Sequence, residues 1–432
     1  MLSVCRGNSN PHFFTKANDQ IKGAGNADKG TRLSCMSSRT MLLSRHGSGR
    51  ASAYAEANKI VTYQHKTHVA WLDSVTDEFY VRIRTLDRQS NQWSQMYTIG
   101  VAYDNHGGPA LTVDDRGFLH VVYYPHHHPF RYRKSKRPND ASEWEEEIEF
   151  GEELTYPTLV CGPSDTLYLT ARHRRKNQLW SVEQWTKRAG EDWQGPLRIL
   201  RSSARGYSHF QEALAWSPDH QSLHLSCRLH ADRGTRETVA YMCSDDFGKT
   251  WHRRDGSVIE LPASLGMMDV IATGGRAKGL LSYKCGSIAV DPCGVPHILY
   301  SAGNGSTAEM LIAVPDDRVG WKRRPLASQW SGWQIGPAAG MAFNKQGTMF
   351  VTATLNCENK SNIVLLVSRD GGDNFSMEYL SSDLPRDRKW WPNLERPTGH
   401  NVIVKHPSVL FTAGTRGEGN DDILSNDVYW VG

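Results

Sequence analysis

A strand, a polar turn and a second strand recur along this chain, and no other feature restricts the fold as much. The copies read IVTYQHKTHVAW from 60, LTVDDRGFLHVVYY from 111, LVCGPSDTLYLTAR from 159, LAWSPDHQSLHLSCR from 214, IAVDPCGVPHILY from 288, MAFNKQGTMFVTA from 341 and VIVKHPSVLFTAG from 402. Their starts are roughly 50 to 75 residues apart, each alternates apolar and polar positions, and each turn is rich in Asp, Gly or Pro. A half-buried strand pair cannot bury its apolar face alone, so repeats of this kind pack side by side around a ring. Seven copies predict an all-β chain, a seven-bladed β-propeller of four-stranded antiparallel blades over 49–432. Pairing of the terminal strands would leave few open edges.

A second motif supports this reading. CSDDFGKTW (243–251) fits the Asp-box pattern S-x-D-x-G-x-T-W through Ser244, Asp246, Gly248, Thr250 and Trp251, and SRDGGDNF (368–375) is a close variant through Ser368, Asp370 and Gly372. The Asp caps the turn backbone, the Gly accepts a left-handed dihedral and the aromatic packs between blades, so these residues are expected to be structural. Weaker copies occur at TLDRQSNQW (85–93) and before Trp144 and Trp321.

With 432 residues and a formal net charge of +4, the chain has too little positive charge to suggest a nucleic-acid partner. No apolar run is long enough to span a bilayer, and MLSVCRGNSNPHFF lacks the apolar core of a secretory signal. As written the protein is expected to be cytoplasmic, or exported if the true start is Met36 or Met41. Residues 1–48 are poor in aliphatics and rich in Ser, Gly, Asn and Arg, which predicts a disordered extension. The eight cysteines show no C-x-x-C spacing. Cys227 and Cys243, with His224 and His230 nearby, allow a structural zinc, although no cofactor is required. A monomer is expected.

The functional signal lies in YDNHGGPALTVDDRGFLHVVYYPHHHPF (103–130). The first and second strands of a blade are antiparallel, so the start of one and the end of the next lie on the same face. His106 and His126 therefore converge, as do Tyr156 and Arg172 in the next blade; Tyr207, His209, Arg228 and His230 follow in the blade after. The Asp-box turns belong on the opposite face. His, His, Tyr and Arg suit proton removal beside a carboxylate: a neutral imidazole can accept a proton, a phenol can pass one and a guanidinium can hold a carboxylate bidentately. Each also has a structural role open to it. His127 and His128 are expected in the loop, and Tyr156 can serve as inter-blade packing.

In DNHGGPALTVDDRGFLHVVYYPHHHPFRYRKS (104–135), TYPTLVCGPSDTLYLTAR (155–172), SIAVDPCGVPHILYS (287–301) and the Asp-boxes, the sequence resembles the BNR-4 group of Asp-box propellers and is similar to propeller-fold ulvan lyases. The resemblance implies a polysaccharide lyase that cleaves an acidic, uronate-containing polysaccharide by β-elimination. It implies His106 and Tyr156 as the base and acid pair, in either order, His126 as a second active-site histidine and Arg172 as the carboxylate neutraliser. Asn105, Tyr207, His209 and Arg228 are the expected substrate-binding residues. Two other readings share the architecture: a sialidase-like glycoside hydrolase, for which no R-I-P segment is present, and a non-catalytic acidic-glycan-binding propeller with Trp330, Trp333, Trp390 and Trp391 as stacking candidates.

Overall fold

The computed structural model describes residues 39–432 except 209, 232–234, 276–279, 305–306, 327–333 and 338. His209, Trp330 and Trp333 lie outside the described residues, as does the side chain of His230. Antiparallel strands make up almost all of the regular structure; the 3-10 turn Pro163–Asp165 is the one helical piece among the described residues.

The two quoted histidine segments flank a hairpin. Ala110–Val113 pairs with Leu119–Tyr123 in the register Thr112↔His120, and Leu119–Tyr123 pairs with His128–Arg137. The long strand Ile148–Cys161 then joins two strand groups. Its first half pairs with His128–Arg137, placing Phe150 opposite Phe130, and its second half pairs with Leu167–His173, placing Leu159 opposite Leu169. The ladder to Leu167–His173 is interrupted between Thr155 and Thr158. There Tyr156 has φ 59°, a left-handed conformation that is costly for a bulky residue ahead of a proline. A bulge of this kind turns one side chain out of the pleat.

The first and last described strands meet in one sheet. Thr40–Gly47 pairs with Asn426–Val431, with Met41 opposite Trp430, and also contacts Lys66–Val75. Residues 40–47 were expected within a disordered extension, but they pair as a strand and Leu43 lies in the core. The terminal strand supplies the partner that Asn426–Val431 would otherwise lack.

Large aromatics fill the spaces between successive strand groups. Trp251 is fully buried with Phe210, Leu223 and Trp180, Trp144 packs with Val113 and Val121, and Trp321 packs with Tyr241 and Tyr300. The Asp-box turns form as their sequence dictates. Ser244 Oγ donates to Asp246 Oδ1 at 2.9 Å and accepts Gly248 N–H at 2.8 Å, while Asp246 accepts the Thr250 N–H at 2.8 Å. Ser368, Asp370 and Gly372 repeat the device at 2.7 and 2.8 Å, with Asn374 in the place of Thr250. Gly248 (φ 79°) and Gly372 (φ 92°) hold the left-handed positions.

Candidate active site

Asp104 organises the site. It lies in the segment between Tyr97–Ala102 and Ala110–Val113, is almost fully buried, and binds both histidines. Its Oδ1 accepts the His106 backbone N–H at 2.7 Å and lies 3.3 Å from His106 Nδ1, and its Oδ2 lies 2.6 Å from His126 Nδ1. The two imidazoles stack at 4.1 Å between centroids. Burial favours the neutral acid, but the hydrogen bonds from His106 and His126 outweigh it and hold the Asp104 carboxyl well below the usual carboxylate range.

Arg50 and Tyr54 complete this half of the site from the loop after the terminal strand. Arg50 Nη1 lies 2.5 Å from His106 Nε2 and 2.6 Å from the Tyr54 hydroxyl. Burial lowers the His106 pKa to about 4, with Arg50 acting in the same direction and Asp104 opposing. His106 is therefore neutral near pH 7, with a proton on Nδ1 facing Asp104 and the Nε2 lone pair facing Arg50. His126 is more open, its side chain 21% exposed, and with Nδ1 on Asp104 its Nε2 is the remaining nitrogen. The sequence reading missed Asp104, Arg50 and Tyr54. The first stood in the quoted segment and had a detectable signal, the Asx-turn spacing D-x-H; the others depend on where the pairing of Thr40–Gly47 with Asn426–Val431 places the loop that follows.

The other half is built on Tyr156 and Arg172. The Tyr156 ring lies 4.8 Å from Tyr54 and 6.2 Å from His106. Arg172, opposite Thr155 in the ladder, sits with its guanidinium carbon 4.5 Å from the Tyr156 centroid, 5.1 Å from Trp180 and 5.8 Å from Tyr207. It is only 1% exposed, yet its Nε and Nη1 make no hydrogen bond. Glu212 is also buried with both carboxyl oxygens unbonded; burial and the neighbouring Glu56 push its pKa well up, against the pull of Arg172, which disfavours its charged form. Burial likewise raises the Tyr156 phenol, which keeps its proton.

The structure thus brings His106, His126, Tyr156 and Arg172 together, with Tyr207 half-exposed at the edge. Other expected residues are engaged elsewhere. Asn105 donates from Nδ2 to the Gly419 carbonyl at 2.9 Å, which ties its loop to residues 419–420. Arg228 contacts Gln211 at 3.1 Å and Glu237 at 3.7 Å in a buried network. His127 packs against Trp180, and burial together with Arg172 lowers its pKa to about 3. Beyond Arg172, His173 pairs with Glu183 and Arg174 with Glu153. Trp390 is buried, whereas Trp391 lies beneath Arg50 and Arg416.

The residues that allowed a structural zinc near Cys227 are, among those described, directed apart. His224 and Cys227, three apart on one strand, face opposite sides. Cys227 Sγ contacts Met268 in the core, and His224 pairs with the Tyr241 hydroxyl at 2.7 Å. Asp104, His106 and His126 have the donor types and proximity for a cation, but Arg50 already places positive charge on His106 Nε2.

A family model described as "BNR repeat-containing family member" matches residues 66–329. The "Ulvan Lyase-PL25" of Pseudoalteromonas sp. (strain PLSV) is 23% identical, the match covering 72% of this chain and 71% of the relative. An ulvan lyase of Nonlabens ulvanivorans is 24% identical over 87% of this chain and 86% of its own. Among solved structures, a polysaccharide lyase PL25-Ulvanlyase bound to -[GlcA(1-4)Rha3S]- superposes with a TM-score of 0.71 at 17% identity, covering 90% of this chain and 95% of that one. That superposition establishes a shared all-β fold.

Proposed function

The chain belongs to the BNR repeat-containing family, and from that membership and the side chains gathered around Asp104 and Arg172 we propose that it is a polysaccharide lyase. Its substrate is a uronate-containing acidic polysaccharide of the ulvan type, cleaved by β-elimination. The observation that carries this reading is the buried Arg172 guanidinium with two unbonded nitrogens, in contact with Tyr156 and across from a neutral histidine. A buried cation with two nitrogens left unbonded is costly, and a substrate carboxylate supplies both the charge and the acceptors they lack.

In this reading the uronate carboxylate docks on Arg172 and draws an N–H of Arg50 toward itself, which releases the His106 Nε2 lone pair. The histidine takes the C5 proton, the electron pair forms the C4=C5 double bond, and the C4–O bond breaks. Tyr156, still protonated, gives its proton to the departing oxygen. Arg172 stabilises the charge that builds on the carboxylate between these events. Asp104 orients both imidazoles, and His126 shares its second oxygen. The strand groups, read as seven blades closed by Thr40–Gly47, hold these ends on one face.

The supporting relatives are named for ulvan, so ulvan is the first substrate to test, beside other uronate polysaccharides. Product NMR showing an unsaturated uronate at the new non-reducing end supports the proposal. A saturated product identifies a hydrolase, and binding without turnover identifies a glycan-binding protein; either result refutes it.

A further inference from the structure

Away from the histidine pair, the turns joining first and second strands surround a cavity of about 620 Å³ whose lining includes Pro163, Trp216, His220, Lys345 and His400. The segment 396–401 enters here and is anchored to two strand groups. Cys161 N–H and Thr112 Oγ1 donate to the Thr398 carbonyl at 2.7 and 2.8 Å, and His400 N–H donates to Val113 at 3.1 Å. A Cβ at Gly399 would lie 2.2 Å from the Val113 carbonyl oxygen, so no other residue fits there without a shift.

At the edge of this cavity one donor atom each from Cys161, Asp165 and His400 lie within 4.8 Å of one another. We propose that Cys161 Sγ, an Asp165 carboxylate oxygen and His400 Nε2 bind a single Zn²⁺ that staples the segment 396–401 to the hairpin formed by Ile148–Cys161 and Leu167–His173. The donor set of one thiolate, one imidazole and one carboxylate selects zinc over calcium or magnesium, which take oxygen ligands. Donors on a tetrahedral zinc stand about 3.4–3.8 Å apart, so side-chain movements of roughly 1 Å close the site.

The surroundings fit the assignment. His400 Nδ1 lies 3.4 Å from the Asp115 carboxylate, the outer pairing that leaves Nε2 as the ligand nitrogen. The Gly162 carbonyl oxygen is 3.5 Å from Nε2 and 3.9 Å from Cys161 Sγ, in position for a fourth ligand. Asp165 Oδ1 accepts the Asp115 N–H at 2.9 Å and Oδ2 pairs with the half-exposed Arg116 at 3.1 Å; each oxygen keeps a lone pair. On binding, the thiol proton passes to solvent as the Zn–S bond forms, with no change of oxidation state. The staple also reaches the active site structurally, because Arg396, on the same segment, hydrogen-bonds the carbonyls of Ala55 and Glu56 next to Tyr54.

The test is titration of the chelator-treated full chain with Co²⁺, followed by the thiolate-to-cobalt absorption band, then displacement by Zn²⁺. The proposal expects a band that saturates at one equivalent. Cys161→Ser should abolish it, His400→Ala should weaken binding about 10- to 100-fold, and Cys227→Ser and Cys243→Ser should leave it intact. Zn²⁺ should raise the melting temperature of the parent protein and not of His400→Ala. Should Cys161→Ser not fold, His400→Ala decides, since its ring is partly exposed. Absence of the band in the parent, or a band unchanged by His400→Ala, overturns the site whatever the lyase assay shows.

Discussion

Arg172 contributes charge to the site at the expense of its own solvation. Replacing it with Ala should lower kcat/KM about 10²- to 10³-fold, and Arg172→Lys should recover only part of this, because an ammonium lacks the bidentate fork. Arg172→Met should leave the melting temperature unchanged or raise it, since it removes a buried charge with two unbonded nitrogens; a fall of several degrees would mean that Arg172 is a structural cation. His106 makes a pH prediction. With its pKa held at about 4 by burial and Arg50, the base remains available well below pH 6.5, so the acidic limb of kcat/KM should fall near pH 4. In Arg50→Ala that limb should move upward, because a charge that disfavours the imidazolium is gone. The convergence of His106, His126, Tyr156 and Arg172 was legible because antiparallel pairing fixes which strand ends share a face. Asn105 shows the limit of that logic: its position in the loop was right, but its Nδ2 is engaged by the Gly419 carbonyl, a contact the strand pattern does not reveal.

Among the strands and turns, local chemistry was the most readable level. The two Asp-boxes form with nearly identical hydrogen-bond lengths because Ser, Asp and Gly at fixed offsets leave the turn few alternatives. Asp246→Ala should therefore cost about 1–2 kcal/mol by urea denaturation while kcat stays at the parent value; a large loss of turnover would place the turn in the mechanism. The terminal strand was less legible. Thr40–Gly47 carries Thr40, Ser44, Arg45, His46 and Gly47 among its eight residues, a polar share close to that of a linker, and its pairing with Asn426–Val431 is what makes it a strand. Leu43→Ala, which opens a cavity beside Trp430, should cost about 2–4 kcal/mol. No change in stability would show that the closing strand is dispensable.

Across the whole molecule, several buried histidines tie stability to pH. His68, His106 and His224 all titrate at about 4, chiefly because burial opposes their charged forms. An unfolded histidine takes up its proton near pH 6.5, so between the two values the unfolded chain binds more protons than the folded one. Stability is then full above about pH 6.5 and declines as pH falls toward 4, with His68 alone accounting for roughly 3 kcal/mol over the full shift. Urea midpoints measured from about pH 7 down to about pH 5 should decline, and less steeply in His68→Gln. The repeat made the all-β architecture visible in sequence. The loop positions that bring Arg50 to His106 and Arg396 to the carbonyls of Ala55 and Glu56 were not, because they depend on contacts between segments far apart in sequence. The most direct test of the central claim is ultraviolet absorbance during incubation of the parent protein and Arg172→Ala with ulvan, since elimination creates a conjugated unsaturated uronate and hydrolysis does not. The account predicts a steady rise for the parent that nearly vanishes in the variant; new reducing ends without any rise would contradict it.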